Sequence, residues 1–385
     1  MIAATMAMPA VLPPPRRAPR WSPSWRRAVA VGTGSFAIAR VATELVALIA
    51  AYGSSFVTVV RHNPQAALTV WEQWDARYYL RIADSGYTTP RLAAFPPLPS
   101  ALISAIHHVT HVEPLVAGLA LSFIAGGVAC ALLVRLVELD FDQRTSALTV
   151  FLLLTFPTAL FLQSVYAEGL LLMLSVAAFL ALRRGRPVVA GALIALAVLT
   201  KTYAVALAIP LAWEYLDTHG WTLDRVVRAA AHLFLPPLVA LAAWMLFLGR
   251  ALGDPLLVVT AERFWGRTFT PPWVAISQGV RNIYGAHLVE GVDLVAVFML
   301  AAAAVYAWRR VRRSYAVLLA VSALVFSTAG TLMSAGRFTI VAFPLFIVAA
   351  ALAARRPWLE RLWAAAFIPL GVYFLAAFAT GRWAG

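Results

Sequence analysis

Charged residues are scarce in this sequence. Asp, Glu, Lys and Arg make up 12% of the 385 residues, against about 25% in a typical soluble domain. Hydrophobic residues make up 62%, so a soluble fold would have too few polar groups to cover its surface. The composition argues against a large soluble enzyme and predicts an all-α polytopic protein of the cell membrane, embedded in the lipid bilayer.

Cysteine and lysine each occur once. An internal disulfide is therefore impossible, and Cys130 lies in an apolar run, as a small core residue would. Apart from Lys201, the basic residues behind the net charge of +14 are arginines, and they stand in short clusters between apolar runs. That spacing is typical of cytoplasmic loops in membrane proteins and not of a nucleic-acid-binding surface. We expect no nucleic-acid partner.

Three common enzyme motifs are also missing. The chain has no Walker loop, no dinucleotide fingerprint and no nucleophile elbow, so a soluble nucleotide donor is unsupported. Its first residues lack the continuous apolar core and the cleavage site of a signal peptide. Residues 1–27 are rich in Pro and Arg, and we predict a disordered cytoplasmic tail there, followed by a single transmembrane domain over residues 28–385.

Apolar runs recur along that domain, and a helix that spans a membrane needs about 20 apolar residues. We predict about 11 transmembrane helices, at 28–58, 115–137, 147–162, 165–182, 187–200, 203–217, 230–249, 289–308, 314–332, 338–354 and 362–380.

Arginine clusters orient these spans. The clusters at 183–186, 309–313 and 354–361 are predicted to be cytoplasmic. Two long loops, 61–114 and 250–288, then lie on the outer side, where loops of this length often carry function.

One apolar segment in the first outer loop is predicted not to cross the membrane. Residues 95–112 are short and contain three prolines near their start. We predict that this segment is an interfacial or re-entrant helix on the outer side.

The first outer loop contains the stretch WEQWDARYYLRIADSGY, residues 71–87. If this stretch is helical, Trp74, Tyr78 and Ile82 share a face that suits the membrane surface. A surface anchor does not account for Asp75, because a carboxylate beside apolar groups is costly. We therefore predict that Asp75 is a general base that deprotonates an acceptor hydroxyl.

The same stretch contains two arginines. Guanidinium groups bind phosphate oxygens through two hydrogen bonds at once, so we predict that Arg77 and Arg81 hold a phosphate, with Trp74 beside them at the substrate. Together with Asp75 they suggest transfer from a phosphate-linked donor that is dissolved in the membrane.

Three further ionisable residues lie in or next to predicted spans, where such groups are expensive and usually functional. These are Glu168, Lys201 and Arg337. Any one of them could instead extend to the interface, but the predicted topology places all three on the outer side. We expect them to share a polar cavity that binds the substrate.

The second outer loop adds Trp265 and Arg267 in the stretch AERFWGRTFTPPW. Such a loop suits sugar stacking and phosphate binding, and it equally suits an interfacial aromatic belt. His107, His108 and His111 have a spacing compatible with a metal site, but no nearby Cys or carboxylate completes one. We assign no metal ligands.

Several motifs resemble the PIG-V-like mannosyltransferases. WDARYYLRIADSGY followed by AAFPPLPSAL is similar to the first-loop signature of that family, although Ala94 stands where the family has Phe. FPTALFLQSVYAEGLLLMLS, GDPLLVVTAERFWGR and GRFTIVAFPLF are similar to later family segments in the same order. Lys201 stands where the family usually has Arg.

This resemblance implies a GT-C fold, the multi-span architecture of glycosyltransferases. It also implies a polyprenyl- or dolichyl-phosphate sugar donor, an active site on the non-cytoplasmic face, and a first-loop aspartate that maps onto Asp75.

The sequence thus predicts an inverting mannosyltransferase with Asp75 as general base. The acceptor, a glycan, lipid or protein, is not identified, no cofactor is assigned, and a divalent metal is optional. Two alternatives remain: a transporter or flippase of a polyprenyl-linked sugar, and a transferase of another sugar such as arabinose.

Overall fold

A computed structural model describes residues 25–284 and 288–385 of the chain. Over these residues all regular elements are helices, and no strand occurs. The predicted all-α membrane class is confirmed. The predicted tail, 1–27, lies outside the described residues except for 25–27, which form the first turn of a helix.

The α-helices are numbered in chain order. They are α1 Trp25–Tyr52, α2 Phe56–His62, α3 Ala66–Thr69, α4 Asp75–Ser85, α5 Pro97–Thr110, α6 Pro114–Val137, α7 Gln143–Leu154, α8 Glu168–Arg183, α9 Pro187–Val198, α10 Ala208–His219, α11 Leu223–Ala229, α12 Leu235–Leu252, α13 Leu257–Thr260, α14 Pro272–Tyr284, α15 Leu288–Arg310, α16 Arg313–Ser327, α17 Ala335–Thr339, α18 Pro344–Arg355 and α19 Pro357–Ala379. Short 3₁₀ turns and one π turn connect them, at Gly53–Ser55, Pro90–Ala94, Ala159–Leu162, Thr202–Leu207, Ala230–Phe234 and Ala261–Trp265.

Five continuous helical segments are long and apolar enough to cross a membrane. They are α1 with α2, α6, α11 with α12, α15 and α19, and three shorter apolar helices accompany them, namely α9, α16 and α18. This supports a multi-pass membrane protein. The number of eleven spans stays a prediction.

α6 packs against both α1 and α8. Small residues allow the close approach to α1, because a side chain at Gly126 would overlap the ring of Phe36, and one at Gly32 would overlap the backbone of α6. Such small-residue contacts are typical of helix pairs in membranes, where close packing replaces the hydrophobic effect.

A buried charge network joins the loops at one end of the bundle. Arg183 lies 2.6 Å from Asp140 and 3.2 Å from Glu214. Arg312 lies 2.6 Å from Asp140 and 3.1 Å from Glu214. The ends of α8 and α10, the loop after α6 and the start of α16 therefore meet here, at the end predicted to be cytoplasmic.

The predicted first outer loop folds into α3, α4 and α5. The stretch 71–87 is helical only from Asp75, because Trp74 has φ +52°, which a helix cannot accommodate. The prediction of one helix from residue 71 is therefore corrected at its start. Residues 97–110 form α5, as predicted for the apolar segment in this loop.

Candidate active site

Asp75 is the first residue of α4 and is 5% exposed. Its backbone N–H donates to the hydroxyl of Tyr166 over 3.2 Å, and that hydroxyl donates to the carbonyl of Gln73, also over 3.2 Å. Tyr166 thus links both sides of the turn at Trp74 to the start of α8.

Arg337 brings two carboxylates together. Its Nη2 lies 2.9 Å from Asp75 Oδ2, and its Nε lies 2.9 Å from Glu168 Oε1. Arg337 is 2% exposed and Glu168 is fully buried. The contact to Glu168 is an ion pair by distance, while its angle does not meet hydrogen-bond geometry. α4, α8 and α17 supply these groups, so Asp75, Glu168 and Arg337 form one ion-paired cluster.

Lys201 lies at the turn between α9 and α10 and is 8% exposed. Its ammonium nitrogen is 5.9 Å from the ring centre of Phe95 and 5.6 Å from that of Phe338. Burial lowers the pKa of Lys201, and the nearby carboxylates of Glu168 and Asp75 oppose this only in part. Among the described residues, no carboxylate forms an ion pair with it within 4.0 Å.

Asp75, Lys201 and Arg337 face a small cavity. Both charged and aromatic side chains line it, namely Asp75, Lys201, Glu262, Arg267, Arg337, Phe95, Trp265 and Trp383, together with Ala94 and Ser334.

Arg267 and Glu262 separate this cavity from a larger apolar groove. Arg267 Nη1 donates to Glu262 Oε2 over 3.0 Å, and both residues line the cavity as well as the groove. The groove lies between α12, α13 and α16, and Leu241, Met245 and Phe326 line it. The charged pair of Arg267 and Glu262 therefore lies between the apolar groove and the small cavity.

Four predicted substrate residues lie outside the lining of the cavity, namely Trp74, Arg77, Arg81 and Glu168. Trp74 packs edge-on against Trp383, with ring centres 5.3 Å apart. Arg77 and Arg81 are exposed. Arg77 donates to the carbonyl of Glu72, and Arg81 donates to the hydroxyl of Thr88. The buried face of α4 contains Asp75 and the arginines lie on the opposite face, so the geometry gives no support to phosphate binding by Arg77 and Arg81.

The predicted histidine cluster binds backbone groups. His107 Nδ1 lies 2.6 Å from the carbonyl of Val112, and His108 Nδ1 lies 2.7 Å from that of Ser104. In the part of the chain that the structure describes, no three His, Cys, Asp or Glu side chains are grouped so that they could hold a metal ion.

Two further residues near the cavity were not found from the sequence. Tyr79 is fully buried, and burial raises its pKa well above 10.0, with smaller effects from Glu168 and Asp75, so its hydroxyl stays protonated. Trp383 follows α19 in a short segment without a recognisable pattern, and only the fold brings it beside Asp75.

Asp293 was also missed, although a signal exists. It is an acidic residue inside the predicted span 289–308, and an ionisable residue in such a place indicates function by itself.

One known family matches part of this chain. Residues 35–218 match the family described as Mannosyltransferase (PIG-V). The match covers just under half of the chain and includes Asp75, Glu168 and Lys201. It confirms the predicted resemblance to that family. Arg267 and Arg337 lie beyond the matched PIG-V region. The comparison with curated proteins finds no match.

Among solved structures, the chain is similar to the oligosaccharyltransferase of Archaeoglobus fulgidus. For the apo form the identity is 14% and the TM-score is 0.46, and the alignment covers 91% of this chain and 56% of that one. For the complex of the archaeal oligosaccharyltransferase AglB with an inhibitory peptide and a dolichol-phosphate, the identity is 14%, the TM-score is 0.44 and the coverage is the same. This chain thus spans little more than half the length of those proteins.

Proposed function

We propose that this protein is a GT-C-type enzyme that transfers a mannosyl residue from a polyprenyl-phosphate donor to an acceptor hydroxyl on the non-cytoplasmic face. The observation that carries the proposal is the ion-paired cluster of Asp75, Arg337 and Glu168 beside a small cavity lined by charged and aromatic side chains. The PIG-V family match over residues 35–218 supports the choice of sugar.

Asp75 is the general base in this proposal. Its carboxylate takes the proton of the acceptor hydroxyl while that oxygen attacks the anomeric carbon. The bond from the anomeric carbon to the phosphate oxygen breaks, and the polyprenyl phosphate leaves from the opposite face, so the configuration inverts. Arg337 holds Asp75 from the side through its 2.9 Å ion pair and keeps the carboxylate aimed at the cavity.

Lys201 is the cation best suited to the phosphate. Arg337 is already paired with two carboxylates and Arg267 with one, whereas the ammonium group of Lys201 faces the cavity without an ion pair among the described residues. A cation fixed in a site of low water content stabilises the charge that develops on the leaving phosphate. With this charge supplied by side chains, a divalent metal is not required.

The apolar groove between α12, α13 and α16 would hold the polyprenyl chain. It shares Arg267 and Glu262 with the cavity, so a lipid in the groove would have its phosphate next to Lys201 and its sugar next to Asp75. The aromatic rings of Trp265 and Phe95 would then face the sugar.

The test is mannosyl transfer by the purified protein in lipid nanodiscs, with radiolabelled polyprenyl-phosphate mannose as donor. We expect Asp75→Asn to lower transfer by about 100-fold or more, as loss of a general base does. Asp84→Asn is the matched control, because Asp84 is an exposed aspartate on the same helix. Transfer that survives in the Asp75→Asn protein would exclude Asp75 as base.

The same assay separates the alternatives. Movement of the intact donor between leaflets without transfer would indicate a flippase. Transfer from an arabinose-bearing donor and not from the mannose donor would show that the proposed sugar is wrong. The proposed mechanism would still apply.

A further inference from the structure

Asp293 lies within α15 and is 2% exposed. Its Oδ1 accepts a hydrogen bond from the backbone N–H of Gly336 over 2.7 Å, and its Oδ2 accepts one from the N–H of Ser334 over 3.2 Å. An acidic residue inside a membrane helix is expensive. Both of its oxygens are used on the turn that immediately precedes Arg337.

That turn has an unusual backbone. Ser334 has φ +71°, in the left-handed region that favours glycine. At Gly336 a Cβ would lie only 3.1 Å from Asp293 Oδ1 and 3.2 Å from the side chain of Val292. Glycine at this position therefore allows the carboxylate to approach the backbone.

A second contact holds the same turn from the other side. The hydroxyl of Thr158 donates to the carbonyl of Gly336 over 2.9 Å. The N–H groups of Ser334 and Gly336 are thus bound by α15, and the carbonyl of Gly336 is bound by the segment after α7. Arg337, the next residue, places its guanidinium between Asp75 and Glu168.

We propose that Asp293 is a positioning residue, which holds the 334–336 turn so that Arg337 orients the base Asp75. Asp293 does not line the cavity, so it acts through Arg337 and does not touch the substrate. The inference rests on the proposed function for its effect on catalysis. Its structural part, the fixed turn, can be tested without any activity.

A carboxylate fits this task better than an amide. The carboxyl group of Asp293 offers one acceptor oxygen to each of the two N–H groups, whereas asparagine has one acceptor oxygen and an NH₂ group that only donates. Asp293→Asn would keep the volume but leave one buried backbone N–H without an acceptor. The geometry therefore predicts a clear loss of kcat even for this nearly isosteric change.

The first experiment measures transfer kinetics per folded protein for Asp293→Asn and Asp293→Ala, in the full chain. We expect kcat to fall by about 10- to 100-fold, because a misplaced orienting group has effects of that size. The donor KM should stay within about two-fold, since Lys201 and the groove bind the donor. Asp140→Asn, at the opposite end of the bundle, is the control for destabilisation alone and should keep its kcat.

The second experiment tests rescue. Glycine adopts the left-handed conformation without side-chain strain, so Ser334→Gly should restore part of the turn when Asp293 is absent. We expect the Asp293→Ala/Ser334→Gly double variant to have a higher kcat than Asp293→Ala alone, with Ser334→Gly measured in the same series.

The third measurement is independent of catalysis. Hydrogen exchange of the peptide that contains residues 334–339 should be faster in Asp293→Ala than in the unchanged protein, should not change in Asp140→Asn, and should slow again in the double variant. Unchanged exchange and an unchanged kcat per folded protein would overturn the proposal. If the unchanged protein transfers no mannose but the exchange pattern is as expected, the proposed function fails and the role of Asp293 in the turn stands.

Discussion

At the scale of single residues, backbone strain is concentrated next to the proposed base. Trp74 has φ +52° and ψ −116°, and such a conformation costs a non-glycine residue on the order of 1–3 kcal/mol. The hydroxyl of Tyr166 offsets this by bonding on both sides of the turn. Tyr166 does not line the cavity, but its hydrogen bonds help to fix the backbone that orients Asp75.

Replacement by phenylalanine should have opposite effects on stability at two buried tyrosines, Tyr166 and Tyr79. Tyr166→Phe removes the acceptor of the Asp75 N–H, so we expect a loss of about 1–3 kcal/mol in stability together with lower transfer. For the Tyr79 hydroxyl, no described residue is a hydrogen-bond partner, so Tyr79→Phe should keep or raise stability. Thermal unfolding in detergent, read for both variants beside the unchanged protein, makes the comparison. A larger loss in Tyr79→Phe than in Tyr166→Phe would contradict it.

At the scale of elements, α8 separates two charged clusters. Its first residue, Glu168, belongs to the candidate site, and its last, Arg183, belongs to the network with Asp140 and Glu214. The rise of 1.5 Å per residue puts them roughly 22 Å apart along the helix. Catalytic and structural charges therefore occupy opposite ends of one buried helix and can be changed separately.

The network predicts a strong stability effect without an effect on chemistry. Asp140→Asn would remove one of the two carboxylates that pair with both Arg183 and Arg312, and breaking a buried ion pair costs about 3–5 kcal/mol. We expect a lower melting temperature in detergent and unchanged transfer per folded protein. Asp224→Asn is the matched control, because its pair with Arg228 is exposed and should contribute nothing measurable. Equal melting temperatures for both variants would refute the role of the network.

The same network gives a pH dependence. Burial by itself raises the pKa of Asp140, but Arg183 and Arg312 lower it by more, so the pKa lies below its ordinary value of 3.8. A lowered pKa in the folded state contributes stability above pH 3.8, and this contribution is lost as the pH falls through the folded-state value. The difference in melting temperature between the unchanged protein and Asp140→Asn should therefore be constant near neutral pH and shrink below about pH 4. A difference that grows on acidification would have the wrong sign.

At the scale of the whole molecule, the two ends of the bundle differ in kind. One end collects the basic loops, which the charge pattern predicts to be cytoplasmic. The other end collects both long loops, the cavity and the segment after α19, where the indole of Trp74 donates to the carbonyl of Arg382 over 3.3 Å. The site is thus built from segments that are more than 300 residues apart in the chain.

The side of the membrane can be tested by labelling, because the only cysteine, Cys130, is fully buried. Ser85 is exposed beside the cavity end, and Thr222 is exposed in the loop between α10 and α11. On intact cells, a membrane-impermeant maleimide should label Ser85→Cys, and it should label Thr222→Cys only after permeabilisation. The unchanged protein is the blank, and the reverse pattern would place the site in the cytoplasm.

The sequence by itself determined the membrane class and the resemblance to PIG-V mannosyltransferases, and it singled out several ionisable residues in costly places. Hydropathy and the cost of a buried charge are local properties, and each can be read from a few neighbouring residues. Asp75, Glu168, Lys201 and Arg337 were found in this way, each as an expensive group in its own segment.

Only the tertiary structure decided which of these groups meet. Arg77 and Arg81 are close to Asp75 in sequence, but the helix starts at Asp75 and its turn directs them to the opposite, exposed face. Asp293 and Trp383 are distant in sequence and yet reach the site or its supporting turn. The physical reason is that pairing of distant charges depends on how helices cross and in which register they pack, and neither is written in the local pattern of the chain.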